Sequence, residues 1–196
     1  MSNSDGRLEQ YRNKRDLAST PEPADEGAEG TGNRFVVQKH DASSLHYDFR
    51  LEVDGVLKSW AVPKGPSTDP SEKQLALPTE DHPVDYIYFE GVIPEGEYGA
   101  GRVIVWDTGR YENQTTEDGE PVEMADAIEN GHVSVRLEGQ KIAGGYALTR
   151  TGSGDDRWLL VKKDDENADA RRNPTSTQPE SVLSGRTIEE IESDEA

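Results

Sequence analysis

A strict alternation of side-chain type runs through nine consecutive residues, 45–53. The odd positions are apolar or aromatic, and the even positions are polar. Because successive side chains of an extended strand point to opposite faces, the pattern predicts a strand with one face for a core. The other face carries His46, Asp48 and Arg50, each about 7 Å from the next. Since both faces are specialised, we expect the polar face to line a cleft or the interior of a barrel.

Turn residues and further apolar stretches extend this strand into an all-β pattern. Asp54-Gly55 predicts a two-residue hairpin turn, with a return strand at 56–62. The remaining short stretches, separated by Gly and Pro, favour a closed barrel or a sandwich. Strands are expected at 35–37, 74–77, 86–90, 102–106, 109–112, 132–137, 145–149 and 157–163. Helices are expected at 8–17, at 122–129 and, as a single turn, at 187–191.

Apolar residues are concentrated in the middle of the chain, and both ends are polar and charged. A segment that cannot bury apolar surface cannot offset the entropy that it loses on ordering. We therefore predict one folded domain over 34–163. The N-terminal arm and linker, 1–33, is expected to be partly mobile, because 25–32 is rich in Gly and acidic residues. Residues 164–196 are expected to form a polar, disordered tail.

Composition excludes several classes of protein. The chain has no cysteine, so it has no disulfides, and any metal must be bound by His, Asp or Glu. It has no run of about 18 apolar residues that could span a membrane. The first residues lack the apolar core of a signal peptide. We expect a cytoplasmic protein with no membrane partner.

The formal net charge of -19 arises from 40 acidic residues and only 21 Lys and Arg. Taken alone, it argues against nucleic-acid binding, because nucleic-acid-binding proteins usually present a basic surface. Abundant carboxylates with few Lys are also typical of proteins that work in very high salt, where the Debye length falls to about 3 Å at 1 M. An ordinary acidic protein is the alternative to this halophilic interpretation. The acidity is uneven, since residues 34–64 contain five basic and four acidic side chains.

The polar face of the predicted strand has the residue types of a metal and phosphate site. His40 lies six residues before His46, and the turn between them can bring the two imidazoles together. Two imidazoles with the Asp48 carboxylate suit a divalent transition metal such as Mn²⁺, Zn²⁺ or Fe²⁺. Arg50 adds a planar fork for a phosphate or carboxylate beside the metal. A metal and a guanidinium together can stabilise the charge that develops in phosphate-ester cleavage.

Other candidate features carry less information. His82, in Glu80-Asp81-His82-Pro83, is expected between strands, where it suits phosphate contact or general acid chemistry. For every histidine the alternative is a structural residue with satisfied hydrogen bonds, and we favour it for His132. The glycine-rich run 91–101 lacks the Gly-Lys-Ser/Thr ending of a P-loop, so it predicts a sharp turn with close backbone approach.

Several motifs are similar to those of one known family. The run Gln-Lys-His40-Asp-Ala-Ser-Ser-Leu-His46-Tyr-Asp48-Phe-Arg50 resembles the signature of the 3′-phosphoesterase domain of bacterial DNA ligase D. Further matching motifs lie at 57–66, 80–83 and 89–101, with the family's N-terminal arm at 11–16 and 20–23 and its closing strand at 158–163. The resemblance covers most of residues 8–163, and collinear motifs of this length are highly specific.

The resemblance implies a compact closed β-barrel with a few short flanking helices. It implies a Mn²⁺-dependent enzyme that removes a terminal ribonucleoside from a primer strand and hydrolyses the 3′-phosphate, leaving a 3′-OH for a polymerase or ligase. Its metal ligands fall on His40, His46 and Asp48, and its phosphate contacts on Arg50 and His82. Further functional positions of the family fall on Arg15, Asp16, Glu22, Lys64 and Tyr86.

Gln74 is a departure from the family pattern. It stands where the family often has an Arg near the active site, so one cationic contact is lost from the diesterase or the monoesterase step. Residues 181–191 look like the linker before the ligase domain of fused forms. A leftover linker is the first interpretation of this segment, and a docking tail for a separate DNA ligase or polymerase is the alternative. We expect a monomer.

Two other functions stay open at this point. One is a non-haem Fe(II) oxygenase that uses His46, Asp48 and a later His. The nearby His40 and the motif match favour the phosphoesterase over it. The other is a non-catalytic adaptor for a ligase or for nucleic acid, which the intact set of metal and phosphate residues disfavours.

Overall fold

The computed structural model describes residues 4–24, 32–152 and 156–191. Most of the predicted linker, at 25–31, and the end of the predicted tail, at 192–196, lie outside the described residues. Within the described part, no helix is both long enough and apolar enough to cross a membrane.

Strands are the main secondary structure of the described chain. They are β1 (Arg34–Asp41), β2 (Leu45–Val53), β3 (Val56–Val62), β4 (Lys73–Pro83), β5 (Gly91–Ile93), β6 (Gly101–Asn113), β7 (Thr116–Glu117), β8 (Glu120–Pro121), β9 (His132–Gly139), β10 (Ala143–Arg150) and β11 (Trp158–Lys162). The helices are α1 (Ser4–Arg7), α2 (Glu9–Asn13), α3 (Met124–Asn130) and α4 (Pro174–Thr177), with 3-10 turns at Val84–Tyr88 and Ile188–Glu190.

Antiparallel pairing closes these strands into a barrel. The order around it is β1-β2-β3-β4-β11-β10-β9-β6, and β6 pairs with β1 as well as with β9, which completes the ring. β5 pairs with the first residues of β6 beside the ring, and β7 and β8 form a separate ribbon. The predicted all-β closed barrel with short flanking helices is therefore confirmed.

The hairpin of β2 and β3 has the boundaries that the alternation predicts. Asp54 and Gly55 both have positive φ, of 49° and 85°, as a type I′ turn requires. Val53 pairs with Val56 across this turn, and the register continues to Tyr47 opposite Val62. Because the turn fixes the register, the side chains at even positions of β2 all point to one face.

The apolar face of β2 points into the barrel. Tyr47, Phe49 and Leu51 belong to the main core cluster together with Trp60 and Trp106. The interior of an eight-stranded barrel is just wide enough for side chains, and here aromatic rings fill it. The polar face of β2 therefore lies on the outside of the barrel. The alternative that it lines the barrel interior is wrong, and the cleft is on the outer surface.

A second apolar cluster covers part of that outer surface. Leu8 and Tyr11, at and within α2, pack with Val36 of β1 and with Ile87 and Phe89 from the chain around the first 3-10 turn. This layer forms a wall on the outside of the barrel, beside the polar face of β2.

Two strand predictions are wrong in detail. Residues 86–90 are not a strand, because β4 ends at Pro83 and the chain continues as the 3-10 turn Val84–Tyr88. The stretches 102–106 and 109–112 form the single strand β6, in which an irregularity opposite β1 absorbs the break in the pattern.

Residues 164–191, which the sequence predicts to be disordered, pack along the barrel. Ile188 and Ile191 are buried and contact Ile104 of β6. The indole Nε1 of Trp106 donates to the carbonyl of Gln178 at 2.8 Å. A few apolar side chains spaced along a polar segment thus find partners on the barrel, although the average polarity of the segment conceals them.

Candidate active site

A cavity of about 340 Å³ lies on the outer face of the barrel, where the polar side chains of β1, β2 and β4 meet. Its lining consists of Arg15, His40, Ala42, Ser43, His46, Asp48, Arg50, Ala61, Thr79, Glu80, His82, Tyr86, Ile93, Tyr98 and Gly99. The cavity therefore brings together all of the predicted metal and phosphate residues, although they come from three strands.

Two imidazoles are oriented by backbone carbonyls. His40 Nε2 lies 2.7 Å from the carbonyl oxygen of Gly99, and His46 Nδ1 lies 3.2 Å from that of Ser44. Because a carbonyl only accepts, each of these nitrogens carries the proton. The other ring nitrogens, His40 Nδ1 and His46 Nε2, face the cavity, and in their unprotonated form they are the atoms that could bind a metal. Hydrogen bonds of this kind hold metal-binding histidines in place in proteins.

The Asp48 carboxylate faces both of these nitrogens. It lies 3.5 Å from His40 Nδ1 and 3.2 Å from His46 Nε2, and one ligand atom from each of the three residues falls within 4.8 Å of the others. Burial favours the neutral acid, but Arg50 and the two histidines outweigh it and lower the pKa of Asp48 below its usual range. A buried carboxylate between two imidazole nitrogens is a donor set that fits a divalent transition metal.

The glycine-rich run forms the wall behind His40. Gly101 approaches β1 so closely that an added Cβ would lie 2.1 Å from the carbonyl oxygen of Asp41. Gly99, with φ of 75°, turns its carbonyl toward His40. The predicted sharp turn with close backbone approach is confirmed, and its role is to orient a metal-ligand candidate.

Arg50 is held rigidly beside the metal-ligand candidates. Its Nε donates to Gln38 Oε1 at 2.7 Å, and its Nη1 donates to Ser59 Oγ at 2.9 Å. Gln38 is itself fixed, because its amide donates to the carbonyls of Tyr86 and Phe89. Arg50 Nη2 is left facing the cavity, 3.5 Å from Asp48 Oδ2. One end of the guanidinium is thus clamped and the other end is free to contact a bound phosphate.

His82 lies between two guanidinium groups. Arg15 Nη2 is 3.3 Å from its Nε2, and Arg50 Nη1 is 3.2 Å from its Nδ1. Its Nδ1 is also 2.8 Å from the carbonyl of Glu80, the shorter contact, so we place the proton on Nδ1 and the lone pair on Nε2. Burial, Arg50 and Arg15 lower the pKa of His82 well below its usual value. The prediction that His82 lies between strands is wrong, since it belongs to β4.

The N-terminal arm completes the cavity through Arg15. This side chain donates from Nε to Glu22 Oε2 at 2.8 Å and from Nη1 to Glu80 Oε1 at 3.1 Å. Glu22 also accepts a hydrogen bond of 2.6 Å from the Tyr86 hydroxyl. Burial and the neighbouring Glu22 raise the pKa of Tyr86 well above its usual value, so its hydroxyl stays protonated. Arg15, Glu22 and Tyr86 therefore form one buried network that fixes the arm to the barrel.

Several residues of the site were missed by the sequence reasoning. Gln38 and Ser59 clamp Arg50, and Glu80 pairs with Arg15 and with Lys14, whose Nζ lies 3.1 Å away. Burial raises the pKa of Glu80, but hydrogen bonds and the two cations lower it more. By strand alternation, Gln38 lies on the same face of β1 as His40, and Glu80 lies on the same face of β4 as His82. This alternation is the sequence signal that could have identified them.

Two predicted site residues, Asp16 and Lys64, lie outside the active-site cavity, and so does Gln74, the departure from the family pattern. Asp16 is exposed, and its carboxylate accepts hydrogen bonds from Ala18 N and Ser19 Oγ within a local turn. Lys64 and Gln74 line a different cavity, formed with the segment that contains α4. The expectation that Gln74 lies near the active site is therefore not met by the structure.

The family described as "DNA Ligase D 3'-phosphoesterase domain" matches residues 38–150, which include the metal-ligand candidates, Arg50 and His82. The chain belongs to this family. As a member of the 3′-phosphoesterase family, it is a hydrolase that acts on phosphate esters.

Relatives of the 3′-phosphoesterase domain include much longer proteins. The "Multifunctional non-homologous end joining protein LigD" of Pseudomonas aeruginosa is 50% identical over 188 residues, which are 92% of this chain and 22% of that protein. The "Multifunctional non-homologous end joining DNA repair protein LigD" of Mycobacterium tuberculosis is 51% identical over 155 residues, 78% of this chain and 19% of that protein. The chain thus spans about a fifth of the length of these relatives.

Proposed function

We propose that this phosphoesterase heals the 3′ ends of nucleic acids in DNA repair by end joining. It removes 3′-terminal ribonucleosides and 3′-phosphates from primer strands and leaves 3′-OH ends. The observation that carries the proposal is the convergence of two imidazole nitrogens, the Asp48 carboxylate and Nη2 of Arg50 on one cavity. The relatives named for non-homologous end joining support the repair context.

His40, His46 and Asp48 would hold the metal, and we propose Mn²⁺, with other divalent transition metals as alternatives. When bound, such an ion polarises phosphoryl oxygens and neutralises developing negative charge. The fit rests on the donor set, because the two ring nitrogens and the ionised carboxylate already face a common point. Their hydrogen-bonded orientation means that little reorganisation accompanies binding.

Arg50 and His82 would position the terminal phosphate. Arg50 offers Nη2, while its Nε and Nη1 remain held by Gln38 and Ser59. His82 is neutral in the free protein, because burial and the two guanidiniums that flank it lower its pKa. A phosphate that arrives between these cations raises the pKa of His82, since an anion favours the protonated imidazole. His82 can then donate a proton toward a leaving oxygen, and Arg15 balances the remaining charge.

Glu22 and Tyr86 would act indirectly, by positioning Arg15 and Arg50. Glu22 directs the Arg15 guanidinium into the cavity, and Tyr86 places its ring under Arg50, with the guanidinium carbon 4.9 Å from the ring centroid. We propose further that the protein works as a monomer in the cytoplasm at high salt, with a separate DNA ligase or polymerase using the 3′-OH product. The acidic composition supports the salt dependence.

The test is the release of phosphate from a 3′-phosphate-terminated DNA primer with Mn²⁺, over a range of salt. Wild type is expected to release phosphate, and His46→Ala to lose at least about a hundredfold in rate, because a lost ligand costs more than the tenfold to hundredfold of its outer partners. His132→Ala is the matched control, since His132 is exposed and bonds only to Thr149 among the described residues. No release by wild type at any salt, or 2-oxoglutarate turnover with Fe²⁺ instead, would contradict the proposal.

A further inference from the structure

A second cavity, of about 360 Å³, lies on the outer face of the barrel. It is lined by Arg34, Ile87, Tyr88, Thr108, Gly109 and Arg110. Its lining contains two arginines and no acidic residue, although the chain has 40 Asp and Glu. A basic, aromatic recess on such an acidic protein is a local reversal of the surface charge. We call this cavity the arginine shelf.

The two arginines are placed unfavourably for folding alone. Arg34 of β1 and Arg110 of β6 are direct partners in the strand register. Like charges directly opposite each other on neighbouring strands are destabilising. Glu52, 3.3 Å from Arg34 Nε, offsets the charge of the first, and Glu138 of β9 is the strand partner of Arg110 on its other side. Arg110 is exposed, and its side chain has no hydrogen bond or ion pair within the described part of the chain. An anionic ligand bound between Arg34 and Arg110 would reduce the repulsion between their positive charges.

Tyr88 supplies an aromatic face to the arginine shelf. Its side chain is 59% exposed, the largest exposure among the exposed large hydrophobic residues of the described chain. Its hydroxyl accepts a 2.7 Å hydrogen bond from Arg34 Nη1, and the Arg34 guanidinium carbon lies 5.7 Å from the ring centroid. The ring is thus held in place while it stays open to solvent. Rings held in this way are the platforms on which nucleic-acid bases stack without regard to sequence.

The position of the shelf relates it to the active site. Arg34 lies on the same face of β1 as Gln38 and His40, four and six residues before them. At about 3.3 Å per residue, this places Arg34 roughly 13 to 20 Å from the active-site rows. One nucleotide of a strand with stacked bases spans about 3.4 Å, so the distance corresponds to about four to six nucleotides.

We propose that the arginine shelf binds the nucleic-acid strand about four to six nucleotides from the 3′ end that lies in the active site. The inference rests on the proposed function and adds a contact that the site itself does not contain. Arg34 and Arg110 contact backbone phosphates, and a base stacks on Tyr88. Paired planar guanidiniums beside an aromatic ring suit phosphates and bases better than a protein surface, because both halves of a nucleotide are matched.

The experiment compares two 3′-phosphate substrates, one of about two and one of about twelve nucleotides, so that only the longer one reaches the shelf. Arg110→Gln and Tyr88→Ala are expected to lower kcat/KM on the longer substrate by about fivefold or more and to leave the shorter one unchanged. Tyr88→Phe keeps the ring and should retain most of the rate. Arg136→Gln is the charge-matched control, since Arg136 lies on β9 and pairs with Glu166.

Binding of a twelve-nucleotide strand with a 3′-OH, followed by fluorescence anisotropy, gives a readout without turnover. Arg110→Gln should weaken binding and reduce the slope of log affinity against log salt by about one unit. Equal binding by wild type and both shelf variants, or equal losses on short and long substrates, would overturn the shelf. A wild type that binds through the shelf but cleaves neither substrate would contradict the proposed function alone.

Discussion

Phe49 and Arg50 are neighbours in sequence and are buried almost equally, with 1% and 3% of their surface exposed, but they lie on opposite sides of β2. Phe49 points into the barrel and packs near Phe35 and Trp60, with ring centroids 6.5 and 6.4 Å away. Arg50 points outward and is fixed by hydrogen bonds to Gln38 and Ser59. Phe49 contributes through the volume that its ring fills, and Arg50 through the direction of its hydrogen bonds. Substitutions on the inner face should therefore lower stability, and substitutions on the outer face should lower the reaction rate.

The largest expected effect is on stability, from Phe49→Ala. Removing the ring leaves a cavity in a core of aromatic side chains, which costs about 3–5 kcal/mol in the free energy of unfolding. Under conditions where the variant is folded, kcat should stay near that of wild type. Denaturant unfolding and phosphate release measure the two quantities. A stable variant with a large loss of kcat would show that the inner face also determines the chemistry.

Arg50→Lys should have the opposite profile. Lysine keeps the charge but loses the planar fork that Gln38 and Ser59 hold. Loss of one preorganised donor to a developing anion lowers kcat by roughly a hundredfold to a thousandfold. The melting temperature is measured in parallel and should change much less than in Phe49→Ala. A rate within threefold of wild type would mean that charge alone, without direction, is enough at this position.

A smaller effect is expected in the pH dependence of stability. The pKa of His82 is lowered in the folded protein, so below pH of about 6.5 the unfolded chain takes up a proton that the folded one does not. The stabilisation is complete above that pH and is lost as the pH falls toward the lowered value. Denaturant midpoints without metal should fall more for wild type than for His82→Gln between about pH 7.5 and 5.5. Parallel curves would show that His82 is not held neutral.

The smallest effect is expected for Gln74→Arg. Gln74 lies with Lys64 in a cavity other than the active site, and its side chain amide donates to Glu72 at 3.1 Å. A surface substitution of this kind changes free energies by at most about 0.5 kcal/mol, so the rate should stay within about twofold. A marked gain of phosphomonoesterase activity would show that the cavity lined by Gln74 and Lys64 contacts the substrate.

Much of the barrel could be predicted because its signals are local. The alternation at 45–53 and the Asp54-Gly55 turn define β2 and β3 with their boundaries. The 3-10 turn Val84–Tyr88 could not be predicted, because its buried Val84, Tyr86 and Ile87 give the same apolar signal as a short strand. The side of the sheet on which the polar face lies depends on how the whole ring closes, and this is not encoded in one strand.

The site residues that lie on a single strand were predicted. Those that join the site only through contacts between separate parts of the chain were missed. His46, Asp48 and Arg50 follow from the alternation, but Gln38 enters through its register partner Asp48. Glu80 becomes a site residue only when the N-terminal arm brings Arg15 and Lys14 to it. Asp16 and Lys64 were expected from family resemblance alone, and neither is among the described residues that line the cavity.

The most direct test of the account is Mn²⁺ binding, measured by calorimetry on wild type and on His40→Ala, His46→Ala, Asp48→Asn and the control His132→Ala. If the outer face of β2 forms the metal site, wild type and His132→Ala should each bind one ion per chain. Each of the three ligand variants should bind at least about tenfold more weakly. Equal affinity in all five proteins would contradict the account, because the ion would then be bound somewhere other than the cavity.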